Sequence, residues 1–249
     1  MQYWRLSSFY FAYFAMIGAI VPYWTLYLTS VNFDPIEIGF LASILMGTKV
    51  VSPYLFGWLS DKFQAPVSVI RITSALSLIA FSFIFITDSF IGTALVIASF
   101  SFFWNGQIGQ FESITLSNIS NDTSRYGGIR AWGSIGFIVS VLALGFLIKK
   151  NGINYLPLFM TVILFLIVLS SLIVNKTDQI KPHNEQKRFL HDFLKPNVIF
   201  FFITCFLLQV SHGPYYTFFS IYLTDLGYSE YQISFLWAIA VFAELILFL

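Results

Sequence analysis

The chain is poor in charge. Of its 249 residues only 10% are Asp, Glu, Lys or Arg, against about 25% in an ordinary soluble domain. That shortage argues against a surface bathed in water. Cysteine is nearly absent as well. The single Cys205 sits inside an apolar segment, so a disulfide framework and a cysteine-rich metal site are both excluded. The formal net charge is +1 and no basic tail is present, which argues against a nucleic-acid partner. No nucleotide-binding glycine loop, H-E-x-x-H or G-x-S-x-G occurs, so no soluble-enzyme constellation is in view and no cofactor is implied. The first apolar run, Leu6 to Leu28, lacks an A-x-A-like cleavage site and is too long for a signal peptide. It reads as an uncleaved first helix.

What the chain does have is apolar length. Apolar residues make up 57% of it, and there are thirty Phe. Eight segments are long enough to span a membrane: Leu6–Leu28, Ile36–Leu59, Val67–Thr87, Ile91–Ser117, Gly128–Ile148, Tyr155–Val174, Asn197–Leu223 and Tyr231–Leu249. Each has about 20 residues or more, enough for ~30 Å of hydrocarbon at 1.5 Å per residue. The apolar runs are continuous and do not alternate, so helices are predicted and a barrel is not. The links are short except for "NKTDQIKPHNEQKRFLHDFLKP", a charged linker. Arg5, Lys62, Arg71, Arg125, Arg130, Lys176, Lys181, Lys187, Arg188 and Lys195 fall on one side, and only Lys149 and Lys150 on the other. The basic side is the cytoplasmic one, which places the N-terminus inside. The sequons at Asn118 and Asn121 then face the cytoplasm and read as chance matches.

The chain repeats itself. "YLTSVNFDPIEIGFL" from Tyr27 and "YLTDLGYSEYQISFL" from Tyr222 share six of fifteen residues at an offset of 222 − 27 = 195. "PYWT" at Pro22 is echoed by "PYYT" at Pro214. The second half restarts the first, six helices later, and parallel six-helix repeats are the plan of one large transporter class. Leu249 corresponds to Tyr54, within the second helix of its unit. The expectation is a helix bundle with eight of twelve helices present. It divides into a six-helix bundle (1–174), a cytoplasmic linker (175–196) and the first two helices of a second bundle (197–249).

A few polar residues interrupt the spans. Lys49 sits mid-segment, where a Lys costs about 2.5–3.5 kcal/mol on insertion scales. Its repeat partner is Glu244, of opposite charge, and both would line a shared cavity. In the fourth segment Asn105 and Glu112 are seven apart and share a helix face. Gln107 and Gln110 flank them. Glu112 is the nearest acidic candidate for Lys49 within the first bundle, or a carboxylate merely solvated near the cytoplasmic surface. In the seventh segment Gln209 and His212 share a face just before Gly213-Pro214, where Pro is expected to weaken the helix. Gln209 and Asn105 also fit plain helix-to-helix stitching, and His212 fits a neutral ring bonded to a carbonyl. Gly133, Gly136 and Ser140 form a small-residue stripe for close helix packing.

Several of these stretches look familiar. "GWLSDK" (Gly57 to Lys62) resembles the cytoplasmic loop signature of the major facilitator superfamily, although "FQAP" follows in place of the later glycine and basic cluster. "YGGIRAWGSIGF" (Tyr126 to Phe137), "LLQVSHGPYYTF" and "LWAIAVFAELILF" resemble its phenylpropionate-permease-like branch. The resemblance implies a proton-coupled secondary transporter working by alternating access. It assigns Lys49, Glu112, His212 and Glu244 to the substrate and proton pathway, and Asn105 and Gln209 join that list by their polar place within the spans. Gly57, Asp61, Lys62 and Arg130 fall to the cytoplasmic loop motif. It implies a multi-pass protein of a bacterial inner membrane that is not an enzyme, with a small organic solute and a proton as partners beside the lipid bilayer. An aromatic carboxylate is the leading substrate, with a sugar or nucleoside as the alternative. A non-transporting membrane sensor or scaffold is the alternative of a different class.

Overall fold

The computed structural model describes residues 2–87, 89–119, 124–175 and 195–248. Eight α-helices and no strand occur among the described residues: α1 (Gln2–Ser30), α2 (Pro35–Phe63), α3 (Pro66–Ser82), α4 (Phe90–Ile119), α5 (Ser124–Asn151), α6 (Leu156–Ile173), α7 (Pro196–Asp225) and α8 (Glu230–Phe248). Short 3-10 turns follow α3 and precede α6. Each expected span is a helix. The longest reach 30 residues, or ~45 Å, so they overrun the hydrocarbon at their ends. Seven of them are long and apolar enough to cross a membrane. Most of the charged linker, and the sequon asparagine Asn121, lie outside the described residues.

Prolines start four helices: Pro35, Pro66, Pro157 and Pro196 occupy first-turn positions, where a missing N–H costs nothing. Pro214 behaves differently from the expectation. α7 runs through it unbroken, as α1 does through Pro22 and α2 through Pro53. A proline removes a single N–H from the ladder, and in an apolar medium every remaining backbone group still has to be paired within the helix.

The sequence repeat is also a repeat of hydrogen bonds. α1 ends with Asn32 in the left-handed region at φ 68°. Asn32 N–H donates to Thr29 O at 3.0 Å, and Phe33 N–H to Leu28 O at 3.1 Å. This is the Schellman pattern, which satisfies the last carbonyls of a helix. One repeat later Gly227 sits at φ 85°. Gly227 N–H donates to Thr224 O at 2.9 Å, and Tyr228 N–H to Leu223 O at 3.0 Å. The next helix then starts on a related cap. Asp34 accepts from Glu37 N–H, and Glu37 accepts from Asp34 N–H. At the corresponding place Gln232 accepts from both the N–H and the hydroxyl of Ser229. The turn and the back-reaching Glu37 or Gln232 recur, but the forward half of the cap does not: Asp34 accepts from the Glu37 N–H, whereas the Ser229 hydroxyl is a donor to Gln232.

α1 to α6 share one core. α1 packs on α5 and α6, α4 on α2 and α3, and α3 closes against α6. Water is not what drives helices together inside a bilayer, so small residues and close fit must do it. The stripe on α5 serves this end. A Cβ on Gly136 would strike the Phe11 backbone, one on Gly18 would lie 2.8 Å from Phe137 O, and one on Gly133 would meet the Phe14 ring at 2.9 Å. Between α1 and α4 the space is filled by rings. Tyr27, Trp24, Phe81, Phe100, Trp104, Tyr13, Phe9 and Phe111 follow one another with centroids 4.0 to 6.2 Å apart. The C-terminus of α6 is held from α3: the Arg71 guanidinium donates to Ser171 O, Leu172 O and Val174 O, the last at 2.8 Å. Those carbonyls would otherwise lack partners.

α7 and α8 join this body through α1 and α5. α8 lies along α5, and α7 touches α1. Phe137, Val141, Leu223, Ile233 and Trp237 form a second buried cluster at the junction. Gly145 lets α8 approach, since a Cβ there would fall 2.5 Å from Ser234 Oγ. Tyr23 donates to Val141 O at 2.7 Å in the same place.

Candidate functional site

The structure sorts the polar residues into three groups. The first is a seam between α2 and α4. Thr48 Oγ1 and Ser101 Oγ are 2.7 Å apart, and the Asn105 amide donates to Thr48 Oγ1 at 3.1 Å and to Leu45 O at 3.3 Å. The Ser52 hydroxyl donates to Phe102 O. Asn105 is buried, and in this arrangement it stitches two helices. Gly106 brings them close, because a Cβ there would collide with the Phe56 ring. Lys49 follows Thr48 on α2 and is exposed. No ion pair reaches it among the described residues.

The second group brings three helices together. Glu112 on α4 lies 3.9 Å from Nε of Arg130 on α5. The guanidinium carbon sits 4.0 Å from the Phe14 ring centroid and 5.4 Å from that of Tyr10, both on α1. From sequence, Glu112 is a candidate partner for Lys49 or a solvated carboxylate; in the structure its partner is Arg130. Arg130, grouped with the loop motif by the resemblance, lies in α5 within the expected fifth span. Because α4 and α5 are consecutive and joined by a short link, the two residues return to the same depth, but depth alone does not say which faces meet. At 3.9 Å the pair is a charge contact rather than a direct hydrogen bond. The Arg130 and Glu112 side chains are 34% and 39% exposed, so neither charge is sealed in. Arg suits this place better than Lys, because its planar head can lie over a ring while it faces a carboxylate.

The third group is on α7 and α8. His212 Nδ1 is 2.7 Å from Leu208 O. A carbonyl oxygen can only accept, so Nδ1 is the donor of this bond. The His212 ring lies 5.5 Å from Tyr216. Tyr215 and Tyr216 in turn lie 5.2 and 6.2 Å from Trp237 of α8, whose Nε1 donates to Ser220 Oγ at 3.1 Å. Trp237 is the residue that locks α7 to α8. It stands in a quoted motif, but no local pattern marked it out. Gln209 and Glu244 are exposed on α7 and α8.

The loop-motif residues are at the end of α2. Gly57 faces Gln110, whose Nε2 would lie 3.3 Å from a Cβ. The Asp61 carbonyl accepts from the Gln64 amide side chain at 2.7 Å. Lys62 Nζ sits 4.7 Å from the Trp58 ring. No group of His, Cys, Asp and Glu able to hold a metal occurs among the described residues.

Comparison with known proteins bears on this arrangement. Residues 3–249 match the MFS_1 like family. The chain is 26% identical over 253 residues to the probable 3-phenylpropionic acid transporter of Escherichia coli (strain K12), covering 98% of this chain and 65% of that one. It is 27% identical over 238 residues to the putative nucleoside transporter YegT of the same strain, covering 90% and 55%. Among solved structures, a mutant form of the nucleoside transporter NupG superposes with a TM-score of 0.73 at 21% identity, over 86% of this chain and 57% of that one. That likeness is one of fold. The chain thus spans less than two thirds of the length of each of these relatives, which are described as transporters and not as enzymes.

Proposed function

Because this chain belongs to the MFS_1 like family, we propose that it carries part or all of a secondary transporter that moves a small organic solute together with a proton. Residues 1–174 would act as one rigid bundle and 197–249 as the start of a second, joined by the 175–196 linker. The proposed setting is a bacterial inner membrane with the N-terminus in the cytoplasm, supported by the ten-to-two distribution of basic residues.

The observation that carries the reading is the Glu112–Arg130 contact against Phe14 and Tyr10. A guanidinium that faces Glu112 is also a natural partner for a solute carboxylate, so the two anions compete for Arg130. A solute carboxylate taking Arg130 would leave Glu112 to accept a proton. Binding the solute and binding the proton are then one event. In this reading Lys49 draws in the anion, Glu244 offers a second proton site and His212 Nε2 assists. Asn105 and Gln209 supply hydrogen bonds. The substrate proposed first is an aromatic carboxylate, in keeping with the name of the phenylpropionic acid relative. A nucleoside is the second reading, favoured by YegT and by the NupG fold.

The test uses the chain as it occurs in the cell, reconstituted in vesicles. A proton gradient should drive accumulation of 3-phenylpropionate in the wild type. Glu112→Gln should reduce it to the level of protein-free vesicles while exchange of internal for external solute continues. Full accumulation by Glu112→Gln would overturn the coupling role, and uptake of uridine in place of 3-phenylpropionate would select the nucleoside reading.

A further inference from the structure

Arg130 sits in a slot made by an absent side chain. A Cβ on Gly133, one turn further along α5, would fall 2.9 Å from Arg130 Nη1 and 2.9 Å from the Phe14 ring. Glycine there leaves room between α5 and α1, and the guanidinium and the ring meet in it. The guanidinium carbon lies over the Phe14 ring, 4.0 Å from its centroid, well inside the range of a cation–π contact. Tyr10, one turn before Phe14 on the same face of α1, adds a second wall at 5.4 Å. Both rings have ring neighbours of their own. Tyr10 meets Phe111 edge to face at 5.0 Å, and Phe14 meets Tyr13 at 5.8 Å.

Rings hold this arginine, and its N–H groups do not. Arg71 uses its donors on three carbonyls of α6. Arg130 makes no hydrogen bond among the described residues, and its one charged neighbour, Glu112, stands at 3.9 Å from Nε. The whole fork of N–H donors is therefore uncommitted. It is also within reach, since the side chain is 34% exposed. A fork fixed from its face suits a flat acceptor with two oxygens. A carboxylate takes two parallel N–H bonds in the plane of the guanidinium, which a lone hydroxyl or carbonyl oxygen cannot do.

We propose that Phe14 and Gly133 are the positioning residues of a carboxylate site at Arg130. Phe14 orients the guanidinium fork, and Gly133 leaves the room in which fork and ring meet. A carboxylate then finds the fork already placed, so little side-chain freedom is lost on binding. The proposal rests on the transport reading for the source of the anion and deepens it. It assigns the solute to the carboxylates, and it makes two residues without a polar side chain determinants of affinity.

The test follows the guanidinium N–H signal of Arg130 by NMR of the whole chain in detergent, identified as the signal that Arg130→Gln removes. In wild type it should lie upfield of free arginine, because the Phe14 ring shields it. Phe14→Tyr keeps the ring and should keep that shift. Phe14→Leu keeps bulk without a ring and should lose it, with helix content as in wild type. Adding 3-phenylpropionate should move the wild-type signal, and its neutral amide should not. Half of that movement should take roughly tenfold more 3-phenylpropionate in Phe14→Leu, as loss of a strong cation–π contact implies. Gly133→Ala should act in the same direction, and Phe14→Tyr should stay near wild type. An unshielded Arg130 in wild type would overturn the proposal, as would a wild-type signal that 3-phenylpropionate leaves in place. So would equal half-points in wild type and Phe14→Leu, or an amide that binds as well as the acid. Uptake by vesicles is read separately: a wild type that binds the acid at Arg130 and carries none sinks the transport reading and leaves this site standing.

Discussion

Helices α1 and α7 hold matching places in the two repeats, yet the most apolar stretch of α1 is 67% buried and that of α7 not at all. Sixteen residues of α1 are buried, among them Phe9, Tyr10, Met16 and Tyr23, against Ser220 and Leu223 in α7. Both are helices of about the same length. Both carry an internal proline, and both end in the same hydrogen-bonded turn. Helix formation and helix packing are therefore separable here. The first follows from an apolar chain that must pair its own backbone groups. The second follows from which side chains face a neighbour.

Substitutions at glycine give the strongest way to break that comparison. A Cβ on Gly136 would meet the Phe11 backbone of α1, whereas one on Gly213 of α7 would meet nothing within 4 Å among the described residues. Gly136→Ala should cost about 2–3 kcal/mol by forcing α1 and α5 apart. Gly213→Ala should be neutral or slightly stabilising, since Ala is the better helix former by about 0.5–1 kcal/mol. Thermal unfolding of the detergent-solubilised chain measures both. Equal effects would mean that α1 and α7 are packed alike in solution.

The turns that close the two helices allow a finer comparison. Gly227→Ala puts a Cβ on a left-handed residue and should cost about 1–2 kcal/mol. Asn32→Ala should cost less, because Asn already bears most of that strain. The same unfolding measurement, or the rate of amide exchange at Phe33 and Tyr228, reports the difference. A larger loss at Asn32 would show that packing around α1, not the turn, sets the cost.

The smallest effect is expected at the caps. Asp34→Ala removes the acceptor of the Glu37 N–H and should cost about 1 kcal/mol. Ser229→Ala removes only a donor to Gln232 and should cost about 0.5 kcal/mol or less. Exchange of the first-turn amides of α2 and α8 would read this directly. A larger loss at Ser229 would tie that turn to its tertiary surroundings.

What was legible in the sequence follows the same division. The helices, their number and the repeat at Tyr27 and Tyr222 could be read because apolar length, prolines in first turns and cap residues act within a few positions of themselves. The stripe of Gly133 and Gly136 was legible too, since only close packing gives absent side chains a use. The partner of Glu112 was not. Which cation meets a carboxylate depends on the rotation and tilt of three helices, and a spacing rule along one helix cannot supply that. In the sequence Arg71 is only one more charge on the basic side, and its grip on the last carbonyls of α6 becomes visible only when α3 and α6 are side by side. Trp237 escaped for the same reason: nothing near it in the chain distinguishes it from other aromatic residues facing lipid.

The column of rings from Tyr27 to Phe111 has a mechanical consequence. Eight flat side chains from α1, α3 and α4 lie ring against ring, and in a close-packed interior one of them can turn only if its neighbours yield. The column acts as a spine that makes these helices move together.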